Sequence, residues 1–214
     1  ASTKLGLTAP ETMTLAQHLY EGIETENGDH IAFITYMRTD SVRVSKEAQA
    51  KALERIRTVY GEKYAPEKPN YYASKKGAQD AHEAIRPIDL NMTPECAKKL
   101  LDKKHHALYK LVYERFLASQ MAEAKYNSAQ MEIDNSGYVF KTSGKVLLFP
   151  GFTAVYQDVS AKKDDDEEVS SKLLPDLKEG DALTLLSMNK EQKFTKPPLR
   201  YTDASLVKIM EEKG

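Results

Sequence analysis

The sequence predicts an α+β fold, in which a mainly helical first part is followed by a β-rich segment and a short helical stub. Before residue 122, long stretches carry apolar residues at helical spacing. After Lys125, short strand-like runs alternate with turn residues. From Asp203 to Glu212 the pattern is again that of a helix.

The first part of the chain is predicted to hold three helical regions and one buried strand. The helical regions cover residues 8–22, 45–60 and about 93–121. In the first of them the spacing is carried by Met13, Ala16, Gln17 and Tyr20. Ser45 has the side chain of a helix N-cap, which supports the second region. Residues 31–36 are apolar, β-branched and aromatic, which predicts a buried strand.

Short strands are predicted in the second part. They cover residues 131–133, 138–141, 146–149 and 183–186. Asn135-Ser136-Gly137 and Ser143-Gly144 separate the first three strands and have the composition of hairpin turns. The acidic run from Asp164 to Glu168 is expected to be a solvated loop. Residues 196–198 are expected to link this part to the final helix.

Composition limits the classes of protein to which the chain can belong. Cys96 is the single cysteine, so an internal disulfide is excluded and a reducing compartment is expected. No apolar run approaches the roughly 20 residues that span a bilayer, so we expect a cytoplasmic protein without a membrane partner. Residues 1–121 hold 18 Lys and Arg against 16 Asp and Glu, which is not the strongly basic surface of a stand-alone nucleic-acid binder. Any DNA-binding site must therefore be a small cluster of residues and not a generally basic surface.

Tyr36 is the first candidate for chemistry, because it follows the predicted strand in the run Thr35-Tyr36-Met37-Arg38-Thr39-Asp40-Ser41. A phenol is a poor nucleophile at neutral pH unless a nearby cation favours its ionised form. Arg38 is permanently charged and its planar fork matches a phosphate. The hydroxyls of Thr35, Thr39 and Ser41 could donate further hydrogen bonds to the phosphate. By spacing alone, a tyrosine packed on the core beside a surface arginine remains the alternative.

Two further clusters follow along the chain. His82 and Arg86 lie four residues apart in Ala81-His82-Glu83-Ala84-Ile85-Arg86-Pro87, a spacing that suits a phosphate. Arg86 stands where a zinc-binding helix would carry its second histidine, so no metal site is expected. Arg200 precedes the final helix, whose cap is Thr202 or Asp203 and whose N-terminus can attract an anion. A capped surface turn and a plain linker are the alternatives for these clusters.

Together and in this order, the three clusters resemble the bacterial type IA DNA topoisomerases. The similarity is carried by residues 34–41, 81–87 and 196–206, with further similarity at 1–6 and 16–22. It extends over nearly the whole chain and is weaker at about 157–173. The sequence begins without an initiator Met, so we expect an excised piece of a longer enzyme. A longer stretch at 23–30 departs from the family and is expected to be a surface loop.

The resemblance implies roles for individual residues. Tyr36 corresponds to the family's nucleophile, which becomes linked to a DNA 5′ phosphate and frees a 3′ hydroxyl. Arg38 corresponds to the residue that holds the phosphate and stabilises charge in the transition state. His82 would contact phosphate or couple binding to movement, and Arg200 would lie in a single-strand groove. The DNA contacts expected from the three motifs are Thr35, Thr39, Ser41, His82, Arg86 and Arg200.

The resemblance also implies a domain arrangement and a cofactor. Residues 1–122 would form a winged-helix-like domain that carries the tyrosine, residues 123–195 half of a β-rich arch, and residues 196–214 the start of a DNA-groove domain. The family's Toprim domain binds Mg²⁺ and has no match in this chain, so the chain itself is expected to bind no metal. The expected partners are single-stranded DNA and the Toprim and groove domains of the same polypeptide. No ATP is expected to be required, and the chain alone is not expected to relax supercoiled DNA.

Other classes of protein remain as alternatives. A non-catalytic, winged-helix-like nucleic-acid-binding module would be favoured by a basic helix face. A purely structural fragment would be favoured by a Tyr36 hydroxyl that is buried in the core. A tyrosine recombinase is disfavoured, because its site needs several Arg and His residues around the tyrosine in a different motif.

Overall fold

The computed structural model describes residues 1–24, 28–72, 82–157, 174–192, 194–195, 197–198 and 200–213. It combines helices and β-strands, as the sequence predicted. The chain divides into a first unit, residues 1–126 and 147–167, and a second unit, residues 127–146 and 168–214. The acidic run at 164–168 and the motif residues Ala81, Lys196 and Leu199 lie outside the described residues.

The regular elements described in the first unit are mainly helices. They are α1 (Ser2–Leu5), α2 (Ala9–Glu21), α3 (Lys46–Tyr60), α4 (Pro94–Ala97) and α5 (Lys103–Ser119). The Thr8 hydroxyl accepts the Glu11 N–H at 3.3 Å and so caps α2. The Ser45 hydroxyl caps α3 in the same way by accepting the Ala48 N–H at 3.3 Å. The helices predicted over residues 8–22 and 45–60 are therefore confirmed, and α1 is an addition to the prediction.

The face that α2 buries is not the one that carried the predicted spacing. Leu15 and Leu19 are its buried residues, whereas Met13 is 70% exposed and Tyr20 39% exposed. Both sets of residues fit the helical period. Periodicity therefore predicted the helix without fixing its orientation.

The helical region predicted at 93–121 is interrupted. Helix α4 ends at Ala97 and α5 begins at Lys103. The Asp102 side chain caps α5, because it accepts the backbone N–H groups of Lys104 and His105 at 2.8 and 3.0 Å. The predicted helical region is therefore confirmed as two helices, and the apolar spacing across residues 100–101 did not reveal the break between them.

Residues 31–36 form the predicted strand only in part. The strands β1 (Ile23–Glu24) and β2 (His30–Ile31) pair antiparallel, so the ends of the expected surface loop are joined as a short ladder. Beyond β2, Ile34 makes an isolated antiparallel bridge to Pro87. Phe33 and Ile34 are 2% and 0% exposed. The predicted burial is therefore confirmed for Phe33 and Ile34, whereas Ala32 is exposed and residues 32–36 belong to no regular strand.

The core of the first unit is formed by the inner faces of its helices. Leu19 of α2, Ile56 of α3 and Tyr109 of α5 are each fully buried within one hydrophobic cluster. Phe33 joins the same cluster, and its ring meets that of Tyr109 edge to face with centroids 5.3 Å apart. Burial of each large apolar side chain contributes roughly 1.5–3 kcal/mol. The chain that leads to Tyr36 is thus anchored in the core.

A β-hairpin replaces the three short strands predicted after Lys125. The strands β3 (Lys125–Asn135) and β4 (Tyr138–Phe149) pair as a two-stranded sheet. The predicted turn at Ser136-Gly137 is confirmed: both residues have positive φ, and the Asp134 carboxylate accepts the Gly137 N–H at 3.1 Å. Ser143-Gly144, predicted as a second turn, lies inside β4. That prediction was wrong, because pairing with β3 keeps both residues within the strand, where Ser143 is half-buried and Gly144 is buried.

Among the described residues that follow β4 in the second unit, one regular element is present. Residues 183–186 are not in a strand, contrary to the prediction. The last helix is α6 (Asp203–Lys213), which confirms the predicted one. The Thr202 hydroxyl accepts the Ser205 N–H at 3.2 Å. Of the two predicted caps, the structure therefore selects Thr202.

Within the first unit, the segment after β4 crosses the segment before β3. The Phe152 N–H donates to the Ala122 carbonyl at 2.9 Å. Gly151 is buried at this crossing with a φ of 48°. A Cβ atom at position 151 would clash with the backbone of Ala122 and Glu123. Only glycine fits there.

Candidate active site

Tyr36 lies just beyond the buried part of its segment in the first unit. The Phe33 N–H donates to the Leu19 carbonyl at 2.8 Å, and the Thr35 N–H donates to the Arg86 carbonyl at 2.9 Å. Tyr36 itself is 37% exposed. The segment therefore presents a partly exposed tyrosine from an anchored backbone, which disfavours the alternative of a core tyrosine.

Thr35 connects the Tyr36 segment to the segment that carries His82. Its hydroxyl donates to the Ala84 carbonyl at 2.8 Å and accepts the Arg86 N–H at 3.0 Å. A threonine hydroxyl has one proton to donate, and here that proton is used within the chain. Thr35 thus holds the two motifs side by side, and its contact with DNA stays a prediction.

Two aromatic side chains flank the Tyr36 ring. The Tyr20 ring, at the end of α2, has its centroid 5.3 Å away and its plane inclined by 61°. The His82 ring has its centroid 5.4 Å away and its plane inclined by 85°. Both are edge-to-face arrangements, which aromatic rings favour. Sequence reasoning did not select Tyr20 as a site residue; its only signal was its place in the family-like stretch 16–22.

His82 also makes polar contacts on both ring nitrogens. Its Nδ1 lies 3.2 Å from the Glu83 carbonyl oxygen, to which a protonated Nδ1 can donate. Its Nε2 lies 3.0 Å from Asp40 Oδ1, although the two groups are not aligned for a hydrogen bond. This contact is an ion pair when both ring nitrogens carry protons. An anion that reached Nε2 would therefore compete with Asp40.

Arg86 is engaged within its own motif. Its Nε donates to Glu83 Oε2 at 2.7 Å, and a terminal nitrogen donates to the Pro87 carbonyl at 3.0 Å. The side chains of Arg86 and Glu83 are 18% and 24% exposed. Arg86 thus braces the turn that carries His82. Its predicted contact with a DNA phosphate stays a prediction.

The other predicted contact residues differ in exposure. Arg38 and Thr39 are exposed on the stretch after Tyr36. Ser41 is 4% exposed, and its hydroxyl accepts the Arg43 N–H at 3.3 Å. Arg200 is exposed and belongs to the second unit. Arg38 and Thr39 therefore have the surface position that a phosphate contact requires, whereas Ser41 has a buried one.

The described part of the chain carries neither a cluster of metal ligands nor a membrane-spanning helix. There, no group of three or more His, Cys, Asp or Glu side chains is placed to hold a metal ion. The site carboxylates of Asp40 and Glu83 instead contact His82 and Arg86. No helix among the described residues is long and apolar enough to cross a membrane.

Comparison with known proteins identifies the family. A family model described as DNA topoisomerase matches residues 1–214. DNA topoisomerase 1 of Campylobacter jejuni is 45% identical over 215 residues, which represent 100% of this chain and 29% of that protein. The structure of full-length topoisomerase I from Thermotoga maritima matches with a TM-score of 0.77 and 37% identity, over 99% of this chain and 32% of that one. The chain thus spans less than a third of the length of these relatives. On these matches, and as its three motifs predicted, the chain belongs to the bacterial type IA DNA topoisomerase family.

Proposed function

We propose that Tyr36 is the nucleophile of a type IA DNA topoisomerase, which breaks and rejoins one DNA strand. The observation that carries the proposal is a partly exposed Tyr36, flanked by His82 and followed by an exposed Arg38, in a chain of this family. The Tyr36 oxygen attacks the phosphorus of a phosphodiester, and the bond from phosphorus to the 3′ oxygen breaks. The phenol loses its proton, and the departing 3′ oxygen gains one. The product is a tyrosine ester of the 5′ phosphate and a free 3′ hydroxyl.

The same chemistry run backwards rejoins the strand. The phosphotyrosine ester retains the energy of the broken bond, so no ATP is required. The 3′ hydroxyl attacks the phosphorus and releases Tyr36. Passage of a strand between the two steps would relax negative supercoils.

Arg38 and His82 are the proposed partners of the scissile phosphate. The planar guanidinium of Arg38 can pair with two phosphate oxygens at once and stabilise the charge of the transition state. His82 would contact phosphate through Nε2, in place of its present contact with Asp40. We propose further DNA contacts by Thr39, Arg86 and Arg200. Contacts by Thr35 and Ser41 would need their present internal hydrogen bonds to change.

We propose that other domains of the parent enzyme complete the active site and the DNA-binding surface. Residues 1–122 would be the winged-helix-like tyrosine domain, residues 123–195 half of the arch, and residues 196–214 the start of the groove domain. The described carboxylates do not converge on an ion and therefore do not fit a Mg²⁺ site, so no step is assigned to a metal in this chain. We place Mg²⁺ in the parent's Toprim domain. Single-stranded DNA and the Toprim and groove domains are the proposed partners.

The test is covalent capture of DNA by the parent enzyme. Single-stranded DNA labelled at its 3′ end is expected to remain attached to the wild-type protein on a denaturing gel. Tyr36→Phe removes the attacking oxygen and should abolish this adduct while non-covalent DNA binding persists. Tyr71→Phe is the matched control, because Tyr71 is 88% exposed and lies in the same unit. A covalent adduct in the Tyr36→Phe enzyme would refute the assignment.

Arg38 can be tested in the same assay. Arg38→Lys keeps the charge but loses the two-pronged donor geometry, so the cleavage rate should fall by about tenfold or more. Arg57→Lys is the control, because Arg57 pairs with Glu62 at the end of α3. Wild-type cleavage by the Arg38→Lys enzyme would exclude the clamp role.

A further inference from the structure

We infer that Tyr20 is a positioning residue for Tyr36, and that its ring holds the Tyr36 ring in the orientation from which the phenol reacts. The inference rests on the proposed function of Tyr36. It adds a residue that lies outside the three motifs and that acts through Tyr36.

The backbone fixes Tyr20 relative to Tyr36. The preceding residue, Leu19, is fully buried in the core of the first unit. Its carbonyl accepts the Phe33 N–H at 2.8 Å. One carbonyl thus joins the last turn of α2 to the segment that leads to Tyr36. The separation of the two tyrosine rings is therefore set by anchored chain as well as by their own contact.

A second anchored side chain faces the Tyr36 ring. His82 lies at 5.4 Å between ring centroids, and the Thr35 hydroxyl ties its segment to the tyrosine segment through Ala84 and Arg86. With Tyr20 and His82 both in contact, the Tyr36 ring has fewer accessible rotamers than a free surface tyrosine. In-line attack on phosphorus requires one orientation of the phenol, so restricting the others raises the reactive fraction.

The ring of Tyr20 makes this contact, and its hydroxyl is not required. The two rings meet at 61° with their centroids 5.3 Å apart. Tyr20→Phe therefore keeps the contact and Tyr20→Ala removes it. Loss of one aromatic pair corresponds to a fall of roughly three- to tenfold in the rate of a step that depends on it.

The first measurement uses the 214-residue chain itself. With ¹³C-labelled tyrosine rings, the signal that disappears in Tyr36→Phe identifies Tyr36 in the NMR spectrum. Tyr20→Ala should shift this signal, because the neighbouring ring is lost, and Tyr20→Phe should leave it close to its wild-type position. Met13→Ala, on the exposed side of the same helix, is the control and should leave it unchanged. An unshifted Tyr36 signal in folded Tyr20→Ala protein would overturn the inference.

The second measurement separates positioning from stability in the parent enzyme. Under single-turnover conditions, Tyr20→Ala should slow adduct formation roughly three- to tenfold with the Kd for single-stranded DNA unchanged, and Tyr20→Phe should restore the rate. A wild-type rate in Tyr20→Ala, or an equal loss in Tyr20→Phe, would contradict the role. Absence of any Tyr36 adduct in the wild-type enzyme would instead refute the proposed function, whereas the NMR result would still report on the ring contact.

Discussion

The two units of the chain differ in how their side chains are buried. In the first unit, Leu19 and Ile56 are fully buried between helices. In the described part of the second unit, no hydrophobic side chain is buried, and Leu186 is 92% exposed. Backbone pairing in the β3–β4 hairpin and hydrogen bonds within α6 therefore define its local structure. The contrast shows that regular elements can form without a core, whereas the placement of Tyr36 depends on one.

Truncation of buried and exposed side chains should show the largest difference between the units. Ile56→Ala is expected to lower the free energy of unfolding by about 2–5 kcal/mol, because it leaves a cavity in a packed interior. Leu186→Ala is the matched change in the second unit and should alter the free energy of unfolding by less than about 0.5 kcal/mol. Urea unfolding followed by circular dichroism measures both. Equal costs would mean that the contrast in burial does not hold in solution.

A smaller effect is expected where the first unit positions its site by hydrogen bonds. Thr35→Val removes the hydroxyl that bonds Ala84 and Arg86, and should cost about 1–3 kcal/mol because two partly buried backbone groups lose their partner. Thr35→Ser keeps the hydroxyl and should recover most of this loss. Urea unfolding would give both values. If valine and serine were equally stable, the hydroxyl would have no part in joining the two motifs.

The smallest effect concerns the capping of α5. Asp102→Ala removes the acceptor for the Lys104 and His105 N–H groups and should cost about 1 kcal/mol. Asp102→Asn retains a capping oxygen and should cost less. Thermal unfolding of the two variants makes the comparison. A loss as large as that of Ile56→Ala would show that Asp102 does more than cap its helix.

The Asp102 carboxylate should also make stability depend on pH. Burial raises its pKa, but hydrogen bonds from the His105 backbone and side chain and from the Lys104 N–H outweigh burial and hold the pKa below its ordinary value of 3.8. A lowered pKa contributes stability above the ordinary value, and this contribution is lost as the pH falls through the folded-state pKa. Below about pH 4, the wild-type chain should therefore lose more stability than Asp102→Asn. Identical acid profiles would contradict this.

Sequence signals close to a helix terminus predicted the helices that begin there. The capping side chain of Ser45 stands directly before α3, and the helices predicted over residues 8–22 and 45–60 agree with α2 and α3 within one or two residues. The buried face of α2 was not, because Leu15 and Met13 both fit a helical period and only packing against distant segments selects between them. The length of β4 was missed for the same reason, since Ser143-Gly144 resembles a turn unless a partner strand holds it extended.

The sequence predicted which residues belong to the candidate site more fully than how those residues are arranged in space. The motifs named Tyr36, Arg38 and His82, and resemblance to a family gave them roles that spacing alone did not. The contact between Tyr20 and Tyr36 and the hydrogen bonds of Thr35 were not predicted. Each joins segments that are distant in sequence, so the core that brings them together had to be known first.

Gly151 has a consequence for how tolerant the chain is to mutation. Any side chain at position 151 would meet the Ala122–Glu123 backbone, which cannot move aside as a flexible side chain could. A saturation screen of the chain should therefore reject all nineteen alternatives at this position as firmly as it rejects changes at a reactive group. Intolerance to substitution there would reflect a steric clash and not a catalytic role. A map of mutation-sensitive positions would therefore have to be combined with the exposure of each residue before it could be used to identify catalytic residues.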